Sequence, residues 1–131
     1  MSMMQRSRSK TPDSARRAAE RRGHRAERLA EIYLLAKFYR IRDRRFKTPV
    51  GEIDLVVEKA GAIVFVEVKA RMRGTEEAAA MAGVNRSRIT RAAQYWLARN
   101  PSLSNRDMRF DVIFLAPGRW PRHLINAFSA A

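Results

Sequence analysis

Cysteine is absent from this chain, which excludes disulfides and thiolate chemistry and leaves a reducing, cytoplasmic setting as the expectation. Histidine is nearly absent too. His24 and His123 are the only two, and neither sits in a zinc-ligand spacing. No uninterrupted apolar run approaches the roughly 20 residues that cross a bilayer, so no membrane span is expected. Internal repeats, a G-x-S-x-G elbow, a phosphate-binding P-loop and a dinucleotide fingerprint are all missing. Acidic residues are scarce: 13 against 27 Lys and Arg, a net charge of +14 over 131 residues.

One domain is what this length allows. The ordinary apolar content, 46%, argues against global disorder. Nucleic acid is the commonest polyanion met by so basic a surface, although charge alone leaves ribosomal, chromatin-like and membrane-surface partners open. Residues 1–22 (MSMMQRSRSKTPDSARRAAERR) are Arg- and Ser-rich and read as a basic, flexible arm, turning helical from about Ser14. A solvated tail and an anchor on phosphates are the two readings of that arm. Its composition also matches an organelle transit peptide, but Pro12 and the missing apolar face argue against one, and no secretory signal is visible. The domain proper is expected over residues 23–131.

From His24 the pattern is helical, with Ala26, Leu29, Ala30, Tyr33 and Leu34 on one stripe and Glu27 and Glu31 along its edge. An alternating, Arg-rich strand follows from Tyr39 to about Phe46, then a turn at Thr48-Pro49-Val50-Gly51. Glu52–Lys59 and Ala62–Arg71 read as strands around Ala60-Gly61. Residues 72–84 lack a clean period and read as a loop with a short helical turn. Asn85 is a candidate N-cap for a helix whose stripe is Ile89, Ala92, Ala93, Trp96 and Leu97; Asn100-Pro101 ends it. Met108–Leu115 and His123–Phe128 are the remaining strands. Trp96 and Trp120 are expected in the core. The order αβββαβ implies an α/β (α+β) fold with a mixed central sheet flanked by helices.

The second and third strands carry the chemistry. Alternation places Glu52, Asp54, Val56 and Glu58 on one face of the first, and Ile63, Phe65, Glu67 and Lys69 on one face of the second. A tight turn at Ala60-Gly61 pairs Lys59 with Ala62, which sets Asp54 opposite Glu67 and Glu52 opposite Lys69. Two carboxylates so placed repel by about 4 kcal/mol at 4 Å and an effective dielectric of 20. A shared proton relieves this, and a hard divalent cation such as Mg²⁺ relieves it better. Such an ion polarises a phosphate oxygen and acidifies bound water, while the Lys69 ammonium stabilises developing charge or orients the attacking water. The alternative is an ordinary Glu52–Lys69 ion pair on a solvated face, with Asp54 and Glu67 merely exposed.

GEIDLVV (51–57) with VFVEVKAR (64–71) resembles the YraN-like family of predicted endonucleases, similar in core to the PD-(D/E)xK nuclease and Holliday-junction resolvase superfamily. The resemblance runs from about Gly23 to Phe128 and also takes in Arg91-Ala92-Ala93-Gln94-Tyr95, Arg109-Phe110-Asp111-Val112 and Asn126-Ala127-Phe128. It implies a restriction-endonuclease-like core and a Mg²⁺- or Mn²⁺-dependent endonuclease acting on DNA, in repair or recombination. Asp54, Glu67 and the Val68 carbonyl would hold the metal, and Lys69 would be the catalytic lysine. Glu27 matches the first-helix acid of related nucleases, which assists metal or water binding; a plain surface Glu is the alternative. Glu52 and Gln94 are accessory candidates, Arg71, Arg88 and Arg91 are candidate nucleic-acid contacts, and Asp111 reads as a structural partner for a nearby Arg. Superfamily resolvases act as dimers, which leaves a homodimer open. The Ala-rich segment 72–84, and Arg88 where a lysine is common, depart from the family pattern.

Two other readings stay open at this point. One is a nucleic-acid-binding module on the same fold without strong catalysis. The other is a basic RNA- or ribosome-associated protein in which the hairpin acids are incidental.

Overall fold

The computed structural model describes residues 12–70 and 84–129. Helix α1 (Pro12–Ala36) leads into strands β1 (Arg40–Thr48), β2 (Gly51–Lys59) and β3 (Ala62–Ala70). Helix α2 (Arg86–Arg99), a 3-10 turn at Pro101–Leu103, and strands β4 (Met108–Leu115) and β5 (Arg122–Phe128) follow. The expected order αβββαβ is therefore observed, with the short last strand added to the same sheet. The sheet runs β1-β2-β3-β4-β5, antiparallel except at β3 and β4, which α2 joins as a parallel pair.

α1 opens with Pro12 at its first position and Asp13 in its first turn, both suited to a helix N-terminus. No structural break falls at residue 22, because the helix runs unbroken through it; residues 1–11 of the basic arm lie outside the described residues. Ala26, Ala30 and Leu34 are buried as expected, with Tyr33 packed beside them. Leu29 is not: it is 56% exposed. The helix ends with Phe38 N–H donating to Leu35 O and Tyr39 N–H to Leu34 O, both at 3.0 Å, with Phe38 left-handed at φ 68°. This is the double bond pattern that usually recruits glycine.

Each strand connection has a local cause. The Thr48 hydroxyl closes the β1–β2 turn, accepting from the N–H groups of Val50 (3.2 Å) and Gly51 (3.0 Å) and donating to Gly51 O (2.8 Å). Ala60 (φ 52°) and Gly61 (φ 83°) both take positive φ, as a two-residue hairpin of the type I′ class requires. Lys59 accordingly pairs with Ala62, the register expected from the sequence. Asn85 caps α2, its side chain accepting from the Arg88 N–H at 3.1 Å. The loop expected over residues 72–84 falls, but for buried Val84, outside the described residues.

The sheet is covered on both faces. Ile53, Val56, Ile63, Phe65, Phe110 and Val112 pack with Ile89, Ala92, Ala93 and Trp96 of α2. Leu55, Val57, Val64, Val66, Ile113 and Leu115 pack with Ala26, Ala30 and Leu34 of α1. Trp96 is core, as expected, edge-on to Phe65 and donating from Nε1 to Asp43 Oδ2 at 3.1 Å. Trp120 is not core. It stands 91% exposed on the β4–β5 loop.

Asp111 is fully buried at the centre of a polar network. Arg109 donates to both its oxygens at 2.9 Å, the Asn126 N–H donates at 2.9 Å, and His123 Nε2 lies 2.7 Å away. Its expected structural pairing with an arginine is thus present. No helix among the described residues is long and apolar enough to cross a membrane.

Candidate active site

β2 and β3 pair from Lys59↔Ala62 up to Leu55↔Val66, and the ladder ends there. One step further, Asp54 Oδ2 accepts the Val68 N–H at 2.7 Å, so a side chain takes the donor that a strand neighbour would otherwise satisfy. Ile53 and Leu55 share a parity yet pack in different layers, Ile53 with α2 and Leu55 with α1. β2 therefore changes its facing at Asp54. The strands part at the residue that carries the chemistry.

Asp54 and Glu67 meet as a hydrogen-bonded carboxyl pair. Burial pushes Asp54 up first, the bond to Glu67 and that residue's charge push it further, and the Val68 N–H and Lys69 pull only part of the way back. The result is a carboxyl raised from 3.8 to about 8. Lys69 Nζ lies 4.0 Å from Glu67 Oε2, with both side chains 19% exposed. Lys69 thus joins Glu67 on its own strand rather than Glu52, the partner expected from direct cross-strand opposition. Glu52 stands opposite Lys47 of β1. Burial, then the Asp54 charge, raises its pKa.

The remaining sequence candidates divide. Glu27, half-buried on α1, is held by Arg45 Nε at 2.6 Å, and its charge reaches Glu52. Arg45 was not singled out in the sequence. Its pairing depends on how α1 docks against β1, which no local pattern encodes, and its positive φ of 47° is likewise set by the fold. Glu58, on the Asp54 face by alternation, belongs to Arg42 and Arg106 and not to the site. Arg88 Nε donates to Val50 O at 3.1 Å and braces the turn before Gly51. Arg91 is exposed, donating to Ser87 on its own helix at 3.1 Å, and Gln94 is exposed on the same helix. Arg71 lies outside the described residues.

The donor chemistry suits a small divalent ion. Among the described residues no three His, Asp or Glu side chains are grouped to share one ion. The available set is two carboxylates, Asp54 and Glu67, with the Val68 main-chain carbonyl between Glu67 and Lys69. Mg²⁺ characteristically binds through one or two carboxylates and keeps waters or substrate phosphate for its other positions. Two half-buried acids set against each other are a costly arrangement without a cation, and they fit one.

Comparison with known proteins agrees with the hairpin motifs. The model of the uncharacterised protein family UPF0102 matches residues 26–115, a span that includes Glu27, Glu52, Asp54, Glu67 and Lys69. A UPF0102 protein of Methylorubrum extorquens (strain PA1) is 49% identical over 117 residues, covering 89% of this chain and 91% of the relative. One from Methylobacterium nodulans is 50% identical over 113 residues (86% and 88%), and one from Rhodopseudomonas palustris (strain BisA53) is 47% identical over 120 (92% of each). The chain belongs to the UPF0102 family, the YraN family expected from residues 51–57 and 64–71.

Proposed function

We propose that this protein is a Mg²⁺- or Mn²⁺-dependent endonuclease that hydrolyses DNA phosphodiester bonds. The observation that carries this reading is the Asp54–Glu67 carboxyl pair with Lys69 beside it, built where β2 and β3 separate. A pure nucleic-acid binder gains nothing from clustered carboxylates facing a polyanion, and the chain as a whole carries a net charge of +14.

Each residue has a distinct role in this reading. Asp54 and Glu67 hold the ion, and Asp54 gives up its proton as they do so. The Val68 N–H fixes the Asp54 carboxylate in place. When bound, the ion supplies Lewis-acid polarisation of a phosphate oxygen and a more acidic water. Lys69 places its ammonium against the charge that develops on the phosphoryl oxygens and orients the incoming water. Glu52 adds negative potential at the rim, while Arg45 engages Glu27 and keeps it at the margin.

A cleavage assay over linear, flap and four-way-junction DNA, with single-stranded RNA alongside, tests the proposal in Mg²⁺ and in Mn²⁺. Wild type should cut at least one DNA form and Lys69→Ala should not. Equal activity in the two would assign cutting to a contaminant or another site. Binding without cleavage in any arm would leave a non-catalytic module.

A further inference from the structure

We propose that the groove between α1 and the β4–β5 loop binds an unpaired DNA strand, with Trp120 as its base-stacking platform. The groove encloses about 930 Å³. Leu29, Ile32 and Ala36 form its helical wall, and Pro117, Trp120 and Pro121 the opposite one. Leu29 and Ile32 are more than half exposed and Trp120 almost wholly so. Exposed apolar side chains on both walls of one groove make a contiguous patch, which solvation alone does not favour. The loop that carries Trp120 is closed by a main-chain turn. Arg119 N–H donates to Ala116 O at 3.2 Å, and prolines fix the backbone on either side.

Charge identifies the occupant. Among the described residues the lining holds Arg25 and Arg119 and no carboxylate. A second copy seated face to face would bring its own Arg25 and Arg119 against this pair, and its net charge of +14 against another +14, which opposes self-association. A neutral apolar peptide would leave both arginines without a counter-charge. A single nucleic-acid strand supplies both parts: flat base faces for Trp120 and the aliphatic wall, and phosphates for Arg25 and Arg119. In a duplex the base faces are already stacked on each other and are not offered.

The groove also reaches Ala70, the residue after Lys69. A strand lying in it passes the end of β3, the strand that carries Glu67 and Lys69. This inference rests on the nuclease reading and narrows it to DNA that carries unpaired nucleotides.

The test is a fluorescence-anisotropy titration of the full chain, without divalent metal, into a dye-labelled oligothymidylate and a dye-labelled blunt-ended duplex, which reads variants with and without Trp120 alike. In the wild type, where Trp96 is buried at 2% exposure, quenching of the intrinsic fluorescence by the oligomer also reports Trp120. Trp120→Ala should weaken oligothymidylate binding about tenfold or more, Trp120→Phe should recover most of it, and duplex affinity should move less than about twofold. Ile32→Glu, on the other wall, should weaken the oligomer likewise. Equal losses for both DNAs, or none for the oligomer, would overturn the proposal. So would a dimer in sedimentation that Trp120→Ala disperses while oligomer binding stays intact, or tight Trp120-dependent binding to anionic phospholipid vesicles with none to the oligomer. Cleavage measured in parallel separates the two readings. Trp120-dependent binding without any cleavage would sink only the nuclease, and cleavage indifferent to Trp120 on flap and duplex alike would sink only the groove.

Discussion

Asp54 Oδ2 accepts the Val68 N–H at 2.7 Å, immediately past the last paired residues of the β2–β3 ladder. The bond ties the acid on one strand to the peptide between Glu67 and Val68 on the next. It therefore fixes the spacing of the two carboxyls by the same contact that stops the sheet from zipping further. A site made this way costs stability, because the separated strands forgo main-chain pairing and hold two acids in a desolvated place.

Asp54→Asn should stabilise the protein at neutral pH. The amide oxygen still accepts from Val68, and the neutral amide sits beside Glu67 without the proton uptake that Asp54 needs on folding. The sign follows from the pKa, raised from 3.8 to about 8 in the fold. The contribution of the protonated pair is full below the unfolded value and is lost as pH rises through about 8. Urea melts at pH 7 should show a gain of about 1–3 kcal/mol. A loss would mean that the carboxyl is structural.

Asp111 should behave in the opposite way. Burial alone would raise it, but His123, Arg109 and the Asn126 N–H together outweigh burial and leave it lowered. Its stabilisation is present above the unfolded carboxyl pKa and lost as pH falls through the folded one. Lys37 Nζ sits 3.3 Å from His123 Nδ1, and an ammonium only donates, so the neutral ring carries its proton on Nε2, toward Asp111. Asp111→Ala leaves the half-buried Arg109, the buried His123 ring and the Asn126 N–H without their shared acceptor and should cost about 2–4 kcal/mol at pH 7. Denaturant melts taken from pH 7 into acid should show the wild type losing stability faster than Asp111→Asn, and parallel slopes would contradict this.

Two strained backbones offer simple gains. Ala60 and Phe38 hold φ of 52° and 68°, where a side chain costs about 1 kcal/mol. Ala60→Asn makes the Asn-Gly pair that type I′ turns prefer, and Phe38→Gly supplies the usual helix-terminating glycine. Each should raise thermal stability by up to about 1 kcal/mol; no change in either would show that the strain is already relieved elsewhere.

Glu27 and Lys69 should differ sharply in their effect on cleavage. Lys69 sits with the carboxyl pair, so Lys69→Ala should lower the rate about 10²–10⁴-fold. Glu27 is engaged by Arg45, and Glu27→Gln should cost less than about tenfold. Single-turnover rates on one DNA substrate decide it, and equal losses would move Glu27 into the catalytic set.

Much of this was readable before any coordinates. The Ala60-Gly61 turn gave the register of the hairpin, because a two-residue connection sets Lys59 opposite Ala62; alternation alone could not, since neighbours Val64 and Phe65 are buried on opposite faces. What alternation could not show is where pairing stops, since the Asp54–Val68 bond is a side chain competing with main chain for a donor. That loss explains why Lys69 pairs with Glu67 and not with Glu52. Leu29 and Trp120 were misassigned for a different reason. Apolar periodicity shows which residues can be buried, but burial needs a covering element, and the described residues place none over that side of α1. Arg45 is legible only once α1 has docked.

The most direct test of the metal centre is calorimetric titration of Mn²⁺ into wild type, Asp54→Asn and Glu67→Gln at pH 7. The expected result is one ion per wild-type chain, an enthalpy that changes with the buffer's ionisation heat because Asp54 releases its proton, and affinity lost in both variants. Equal affinity in all three, or a buffer-independent enthalpy in the wild type, would contradict a metal site at Asp54 and Glu67.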